Sequence, residues 1–167
     1  MKKLAAFSRY IDKLNDILGR TVSFLVVPMI VIMVLEVVLR YFFTAPTIWA
    51  LEATQILFGF MFMLGAGYTL KEDGHIRVEI AYNLVSPRTQ SGMKIFALIF
   101  LFFYCGTVLY YGAVKAYEST IIMEQHFSVW SPYIFPSFIC IPLAALLMIC
   151  QGVSILHKEL RTLMRTG

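Results

Sequence analysis

A run of twenty residues without a charged side chain extends from Ile95 to Val114 and reads IFALIFLFFYCGTVLYYGAV. As an α-helix it is about 30 Å long, which matches the hydrocarbon core of a bilayer. Similar tracts lie at Thr21–Leu39, Ile48–Leu70 and Tyr133–Leu156. Because each tract is about twice as long as a membrane β-strand, we predict four helical spans and an all-α integral membrane protein.

The composition of the whole chain points the same way. Its 167 residues are 59% hydrophobic and 14% charged, against about 25% charged residues in soluble domains. So few charged residues cannot coat a soluble globule of this size, which argues against a soluble enzyme. The net charge of +4 does not indicate a nucleic-acid partner, because long apolar tracts separate the basic residues.

Lysine and arginine are distributed unevenly outside the predicted spans. The N-terminal segment, the loop between spans two and three and the C-terminal segment carry 5, 4 and 3 of them, whereas the other two loops carry one each. Because basic segments remain cytoplasmic, we predict that both termini and the middle loop are cytoplasmic. Trp49 and Trp130 then both fall at the outer interface, where amphipathic rings are favoured.

Residues 1–20 have an amphipathic pattern. The apolar side chains recur at helical spacing: Leu4, Phe7, Ile11, Leu14 and Leu18. The charged side chains fall on the other faces: Lys3, Arg9, Asp12, Lys13 and Asp16. We predict an interfacial helix on the inner membrane surface, its basic residues near anionic lipid, in preference to a coiled-coil or core-facing helix.

These patterns divide the chain into an interfacial helix at 1–20, a transmembrane domain at 21–156 and a cytoplasmic tail at 157–167. Between spans two and three, Ile76, Ile80 and Leu84 recur at helical spacing and predict a second short surface helix. Ser86 and Pro87 are typical of the cap and first residue of a helix, so the third helix is expected to begin before its apolar run.

The sequence contains no recognisable catalytic or cofactor motif. Cys105, Cys140 and Cys150 all lie inside apolar spans without forming a Cys-x-x-Cys pair, and the three histidines lie outside the spans. Signatures of nucleotide hydrolysis, serine hydrolysis and zinc proteolysis are absent from the sequence. We therefore predict a protein that is not an enzyme and uses no cofactor.

Two carboxylates lie within the predicted spans. Glu36 and Glu52 both fall near the outer ends of their spans, and Arg40 follows Glu36 by one helical turn. An ionisable residue in a membrane span is a functional candidate because its burial is costly. The spacing nevertheless favours a structural ion pair between Arg40 and Glu36, with Glu52 as a possible third member across a helical hairpin, over a proton- or ion-coupling site.

Small residues and prolines mark the helix surfaces. Glycines and alanines in spans two, three and four are typical of close helix packing, either within this chain or against the helices of another protein. The pattern alone does not distinguish these two arrangements. Pro28 and Pro142 are expected to bend their helices, because each removes a backbone donor.

Fragments at the ends of the spans form an ordered pattern over most of the chain. They are Arg40-Tyr41 after the first span, Pro46, Trp49 and Glu52 around the start of the second, Gly74-His75-Ile76-x-Val78-Glu79 after it, and Glu124, Trp130-Ser131-Pro132 and Pro136 around the start of the fourth. In this order the fragments resemble the DctQ-type small membrane subunit of TRAP (tripartite ATP-independent periplasmic) transporters. Glu36 departs from the family pattern, in which that position is usually apolar or an amide.

The resemblance implies an auxiliary subunit of the bacterial inner membrane. Such a subunit would pair with a large membrane subunit that carries the substrate and sodium sites, while a periplasmic binding protein transiently delivers an organic acid. The residues that would shape its structure and interfaces are Glu36, Arg40, Pro46, Trp49, Glu52, His75, Glu124, Trp130 and Pro132.

The residues leave two rival hypotheses open. In one, the chain is a small proton-coupled exporter that acts as a homodimer through Glu36 or Glu52. In the other, it is a membrane anchor whose removal leaves uptake intact.

Overall fold

The structure is a computed structural model that describes residues 2–72 and 87–165. Its helices are α1 (Lys2–Ser23), α2 (Val26–Phe42), α3 (Ala50–Lys71), α4 (Pro87–Ile121) and α5 (Phe135–Arg165). The described residues contain no β-strand beyond one isolated bridge between Gln125 and Tyr133, so the prediction of an all-α protein is confirmed. The predicted surface helix around Ile76–Leu84 lies outside the described residues.

Four stretches of helix are long and apolar enough to cross a membrane: Ala6–Phe42, Ala50–Lys71, Gly92–Ile121 and Phe135–Leu160. Each overlaps one predicted span. α3 begins two residues later than predicted because Thr47 accepts a hydrogen bond from the Ala50 N–H and ends the preceding loop there. α4 begins at Pro87, as the sequence predicts, and continues beyond the predicted end of its span to Ile121. Its 35 residues extend about 52 Å, against about 30 Å of hydrocarbon.

A two-residue interruption at Phe24 and Leu25 separates α1 from α2. Pro28 lies four residues after Phe24, and a proline ring collides with the carbonyl group of the residue four positions earlier. Around the interruption the Val27 N–H donates to the Phe24 carbonyl oxygen at 3.1 Å, three residues back rather than four. The disruption expected at Pro28 therefore lies one turn upstream of it, whereas α5 continues through Pro142.

α1 packs against α3 and α5 through a strip that the apolar pattern did not predict. The buried positions are Ser8, Ile11, Asn15, Gly19 and Val22. This strip is rotated away from the predicted apolar stripe, because polar partners on α5 bind Ser8 and Asn15. Among the stripe residues Phe7, Ile11, Leu14 and Leu18, Ile11 alone is buried. α1 is thus core-facing along one strip and exposes apolar side chains on another. Its location at a membrane surface remains a prediction.

The four stretches that are apolar enough to span a membrane do not pack together as a closed four-helix bundle. α5 packs most extensively on α4, and also on α3 and α1, whereas α2 has substantial contact only with α3 among the described helices. The central cluster of Leu70, Leu98 and Ile155 joins α3, α4 and α5. Large apolar surfaces on α2 and α4 consequently remain exposed.

Candidate functional site

The polar side chains form two groups at opposite ends of the molecule. We call the end that carries the loops 43–49 and 122–134 the loop end, and the end where α1 meets α3 and α5 the α1 end. Most of the candidate residues predicted from the sequence lie at the loop end. His75 lies outside the described residues.

Glu36 ties α2 to the loop that leads into α3. Its Oε1 accepts a hydrogen bond from Arg40 Nε at 3.0 Å, within the ion pair that the four-residue spacing predicts. Its Oε2 accepts from the backbone N–H of Thr47 at 3.0 Å and from the Thr47 hydroxyl. Both oxygens of this buried carboxylate are therefore engaged in holding the α2–α3 hairpin.

Glu52 belongs to a separate contact and does not join the Glu36 cluster. Its Oε2 accepts from the Ser128 hydroxyl at 2.7 Å and lies 3.8 Å from His126 Nδ1. The suggestion that Glu52 shares Arg40 is wrong, because the first turn of α3 directs Glu52 toward the loop 122–134. Glu52 thereby links α3 to the loop that precedes α5.

The loop 122–134 is fixed from several sides. Trp130 lies against Trp49, with ring centroids 6.5 Å apart, and the Pro132 carbonyl oxygen accepts from the His126 N–H at 2.9 Å. Lys115 Nζ donates to Glu124 Oε2 at 2.9 Å, and this hydrogen bond holds the pKa of Glu124 below its ordinary value. The two tryptophans, predicted only to share an interface, are in direct contact.

A groove of about 210 Å³ opens beside these contacts. Glu52, Gln55, His126, Pro132 and Ser137 line it together with apolar residues of α3. Pro46 is exposed in the neighbouring loop and does not line this groove. The loop end thus combines fixed polar contacts with exposed apolar side chains, among them Phe127 and Val129.

The α1 end contains a hydrogen-bonded seam that the sequence analysis missed. Asn15 Nδ2 donates to Gln151 Oε1 at 2.7 Å, and Gln151 Nε2 donates to Asp12 Oδ1 at 3.0 Å. Lys158 Nζ lies 2.7 Å from Asp12 Oδ2, while Lys71 binds Asp16. These contacts turn the two aspartates toward the bundle. Gln151, an amide within an apolar helix, was the signal that could have indicated the seam.

The described residues hold no group of three or more His, Cys, Asp or Glu side chains placed to bind a metal ion. Cys105, Cys140 and Cys150 are free thiols in apolar helices. The polar contacts described above join one helix or loop to another. Fold and polar groups together define a multi-pass membrane protein whose polar clusters tie its helices together.

The chain belongs to the DctQ component family of tripartite ATP-independent periplasmic transporters, whose model matches residues 29–162. This is a family of transporter components, not of enzymes. The chain is 30% identical over 96 residues to the C4-dicarboxylate TRAP transporter small permease protein DctQ of Vibrio cholerae serotype O1, a match that covers 56% of this chain and 39% of that protein.

A second relative is a longer protein. The chain is 23% identical over 145 residues to the sialic acid TRAP transporter permease protein SiaT of Haemophilus influenzae. That match covers 87% of this chain and 23% of the relative. The chain therefore spans well under half the length of both relatives.

Proposed function

We propose that this chain is the small auxiliary subunit that supports sodium-coupled, binding-protein-dependent uptake of an organic acid by a large membrane subunit. The observation that carries the proposal is the open packing of the described helices, in a chain of the DctQ family. A carrier that worked alone would need an enclosed site for solute and ion. Here the described polar groups join helices at the two ends of the molecule.

The exposed surfaces of α2 and α4 are suited to a membrane partner. Glu36 is the one buried residue of α2, and Val31 on α2 and Phe103 on α4 are 61% and 78% exposed. Helices associate in membranes through close packing, so such surfaces can receive the helices of another subunit as readily as lipid. The large subunit would rest against them.

The relationship to SiaT also supports a large partner. A segment equivalent to most of this chain makes up 23% of that permease, so the permease is about four times as long as the matched segment. We assign the functions of the rest of such a permease to the large membrane subunit. The named substrates of the two relatives, C4-dicarboxylate and sialic acid, are both organic acids and support that substrate class.

The distribution of charge supports an orientation. Lys71, Lys94 and Lys158 lie toward the α1 end, whereas the loop end carries Arg40 and Lys115. The excess of basic residues at the α1 end supports a cytoplasmic location for that end and for both termini, in a bacterial inner membrane. The loop end would then face the periplasm and receive the loaded binding protein transiently.

Deleting the gene tests this function. We expect loss of sodium-dependent uptake of the transporter's organic acid, tested with labelled C4-dicarboxylate and sialic acid, and recovery when the gene is restored. Uptake that persists at the wild-type rate for a substrate that the large subunit carries would support the membrane-anchor hypothesis instead.

A proton-coupled exporter predicts a different behaviour of the isolated chain. Arg40 and Thr47 occupy both oxygens of Glu36. We therefore expect the chain alone, reconstituted in proteoliposomes with candidate organic acids, to produce no more proton flux than protein-free vesicles do. A pH-sensitive dye enclosed in the vesicles measures this flux. Glu36→Gln and Glu52→Gln should give the same baseline. A flux present in the wild type and absent in either variant would establish the exporter.

A further inference from the structure

The acidic and basic side chains of α1 differ in their partners, although Asp16 lies only about 40° around the helix from Arg20. Its aspartates in the described part of the chain, Asp12 and Asp16, are paired with Lys158 of α5 and Lys71 of α3. The basic side chains of Arg9, Lys13 and Arg20 are exposed, and none of the three is ion-paired within the described residues. The bundle thus neutralises the two aspartates of α1 and leaves Arg9, Lys13 and Arg20 without an ion-pair partner among the described residues.

The exposed cations form one strip along the helix. At 100° per residue, Arg9, Lys13 and Arg20 fall within about 40° of one another. This strip lies on the side of α1 away from the buried strip that contains Ser8, Ile11 and Asn15. It borders a second exposed strip with Tyr10 and Ile17, which are 68% and 54% exposed.

An apolar groove begins beside the last of these cations. Gly19 and Ser23, which flank Arg20 along α1, line a groove of about 300 Å³ between α1 and α3. Its α3 wall contains Met61, Phe62 and other small or apolar residues as far as Thr69. The groove therefore extends from the cationic strip along the apolar helix α3.

We propose that this face of α1 binds the phosphate headgroup of an anionic phospholipid, with an acyl chain of that lipid in the α1–α3 groove. A cationic strip beside exposed apolar side chains matches the headgroup and acyl regions of one leaflet. An acidic peptide would match the cations but would leave the groove unfilled. The inference goes beyond the proposed function and uses its orientation, which places α1 at the cytoplasmic leaflet.

The test compares lipids at the surface of the purified full-length chain in phosphatidylcholine vesicles. Spin-labelled phosphatidylglycerol and spin-labelled phosphatidylcholine report, by electron paramagnetic resonance, the fraction of each lipid immobilised at the protein. We expect the wild type to prefer phosphatidylglycerol. Replacing all three cations, Arg9→Gln, Lys13→Gln and Arg20→Gln, should lower this preference by at least about fivefold, the effect of one cation near a charged membrane.

Matched variants separate a binding surface from a general effect of charge. Arg20→Gln and Lys115→Gln each remove one cation, and we expect only Arg20→Gln to lower the preference. Arg9→Lys with Arg20→Lys should retain it. Equal effects of Arg20→Gln and Lys115→Gln, or an unchanged preference in the triple variant, would overturn the proposal.

Assembly with the large subunit provides an independent readout. We expect the triple variant to co-purify with the large subunit as the wild type does. If it loses that subunit and keeps its lipid preference, the face binds protein and the lipid proposal is wrong. This result would leave the auxiliary function standing, whereas failure of the wild type to co-purify would count against that function and not against lipid binding.

Discussion

Gly19→Ala should weaken the packing of α1 on α3 by about 1–3 kcal/mol, the range for overpacking a close contact. A Cβ atom at position 19 would lie 2.5 Å from Tyr68 Cβ, at the root of the tyrosine side chain, so a change of rotamer cannot relieve the collision. The helices must move apart. Thermal unfolding in detergent should report the loss of stability, and hydrogen exchange along α1 should report where it occurs.

Gly106→Ala is the matched control. A Cβ atom at Gly106 of α4 would meet nothing within 4 Å. Because alanine favours a helix over glycine by up to about 1 kcal/mol, this variant should be as stable as the wild type or slightly more stable. If Gly19→Ala behaved like Gly106→Ala, α1 could not approach α3 as closely as described.

Gln151→Leu should be the second clearly destabilising change, at about 1–3 kcal/mol. Gln151 and Asn15 are both fully buried, and Gln151 connects Asn15 to Asp12. Leucine would leave the buried Asn15 amide without this partner, and a buried unsatisfied group costs about 1–3 kcal/mol. Asp12 Oδ1 would still accept from the Ser154 hydroxyl at 3.2 Å. Chemical denaturation in detergent micelles measures the difference directly.

Two further variants show whether loss of the hydrogen-bonded seam causes the loss of stability in Gln151→Leu. Gln55→Leu replaces an exposed glutamine on α3 and should change stability by no more than about 0.5 kcal/mol. The double variant Asn15→Leu and Gln151→Leu removes both buried amides, so its loss should be smaller than the sum of the two single losses. Strict additivity would mean that the two side chains do not interact.

The fold could be predicted from the sequence because the features that define a membrane span lie within the span itself. Twenty apolar residues satisfy their own backbone hydrogen bonds in a helix, whatever surrounds them. The ends of the helices were less certain. Thr47 fixes the start of α3 through a side-chain contact, and Pro28 shifts the helix interruption to Phe24, so both boundaries depend on details that an apolar run does not contain.

The packing of α1 could not be predicted from the same pattern. The apolar stripe predicted which face of α1 would lie on the membrane surface. It did not predict that Ser8 and Asn15 are buried against Ser154 and Gln151 of α5, which complement them. Those partners are more than a hundred residues away in sequence. A polar strip on a helix becomes a packing surface only when another helix presents matching polar groups.

The candidate site shows the same division between local and distant contacts. The Glu36–Arg40 pair follows from a separation of one helical turn, whereas the contact of Glu52 with Ser128 depends on how the loop 122–134 folds back. The sequence predicted that Trp49 and Trp130 lie at the same membrane interface, but it did not predict that their side chains are in contact. The roles of these residues in docking a partner remain proposals.

Co-purification with the large membrane subunit tests the auxiliary function most directly. The two chains are co-expressed, extracted in mild detergent and isolated through a tag on the large subunit, with cysteines introduced at Val31 on α2 and Phe103 on α4. We predict that the two chains form a stable complex. A lipid-soluble maleimide should label both cysteines in the isolated chain, and at least one of them should be protected from it in the complex. Failure of the chains to associate, with both cysteines labelled equally in the presence and absence of the large subunit, would contradict the account.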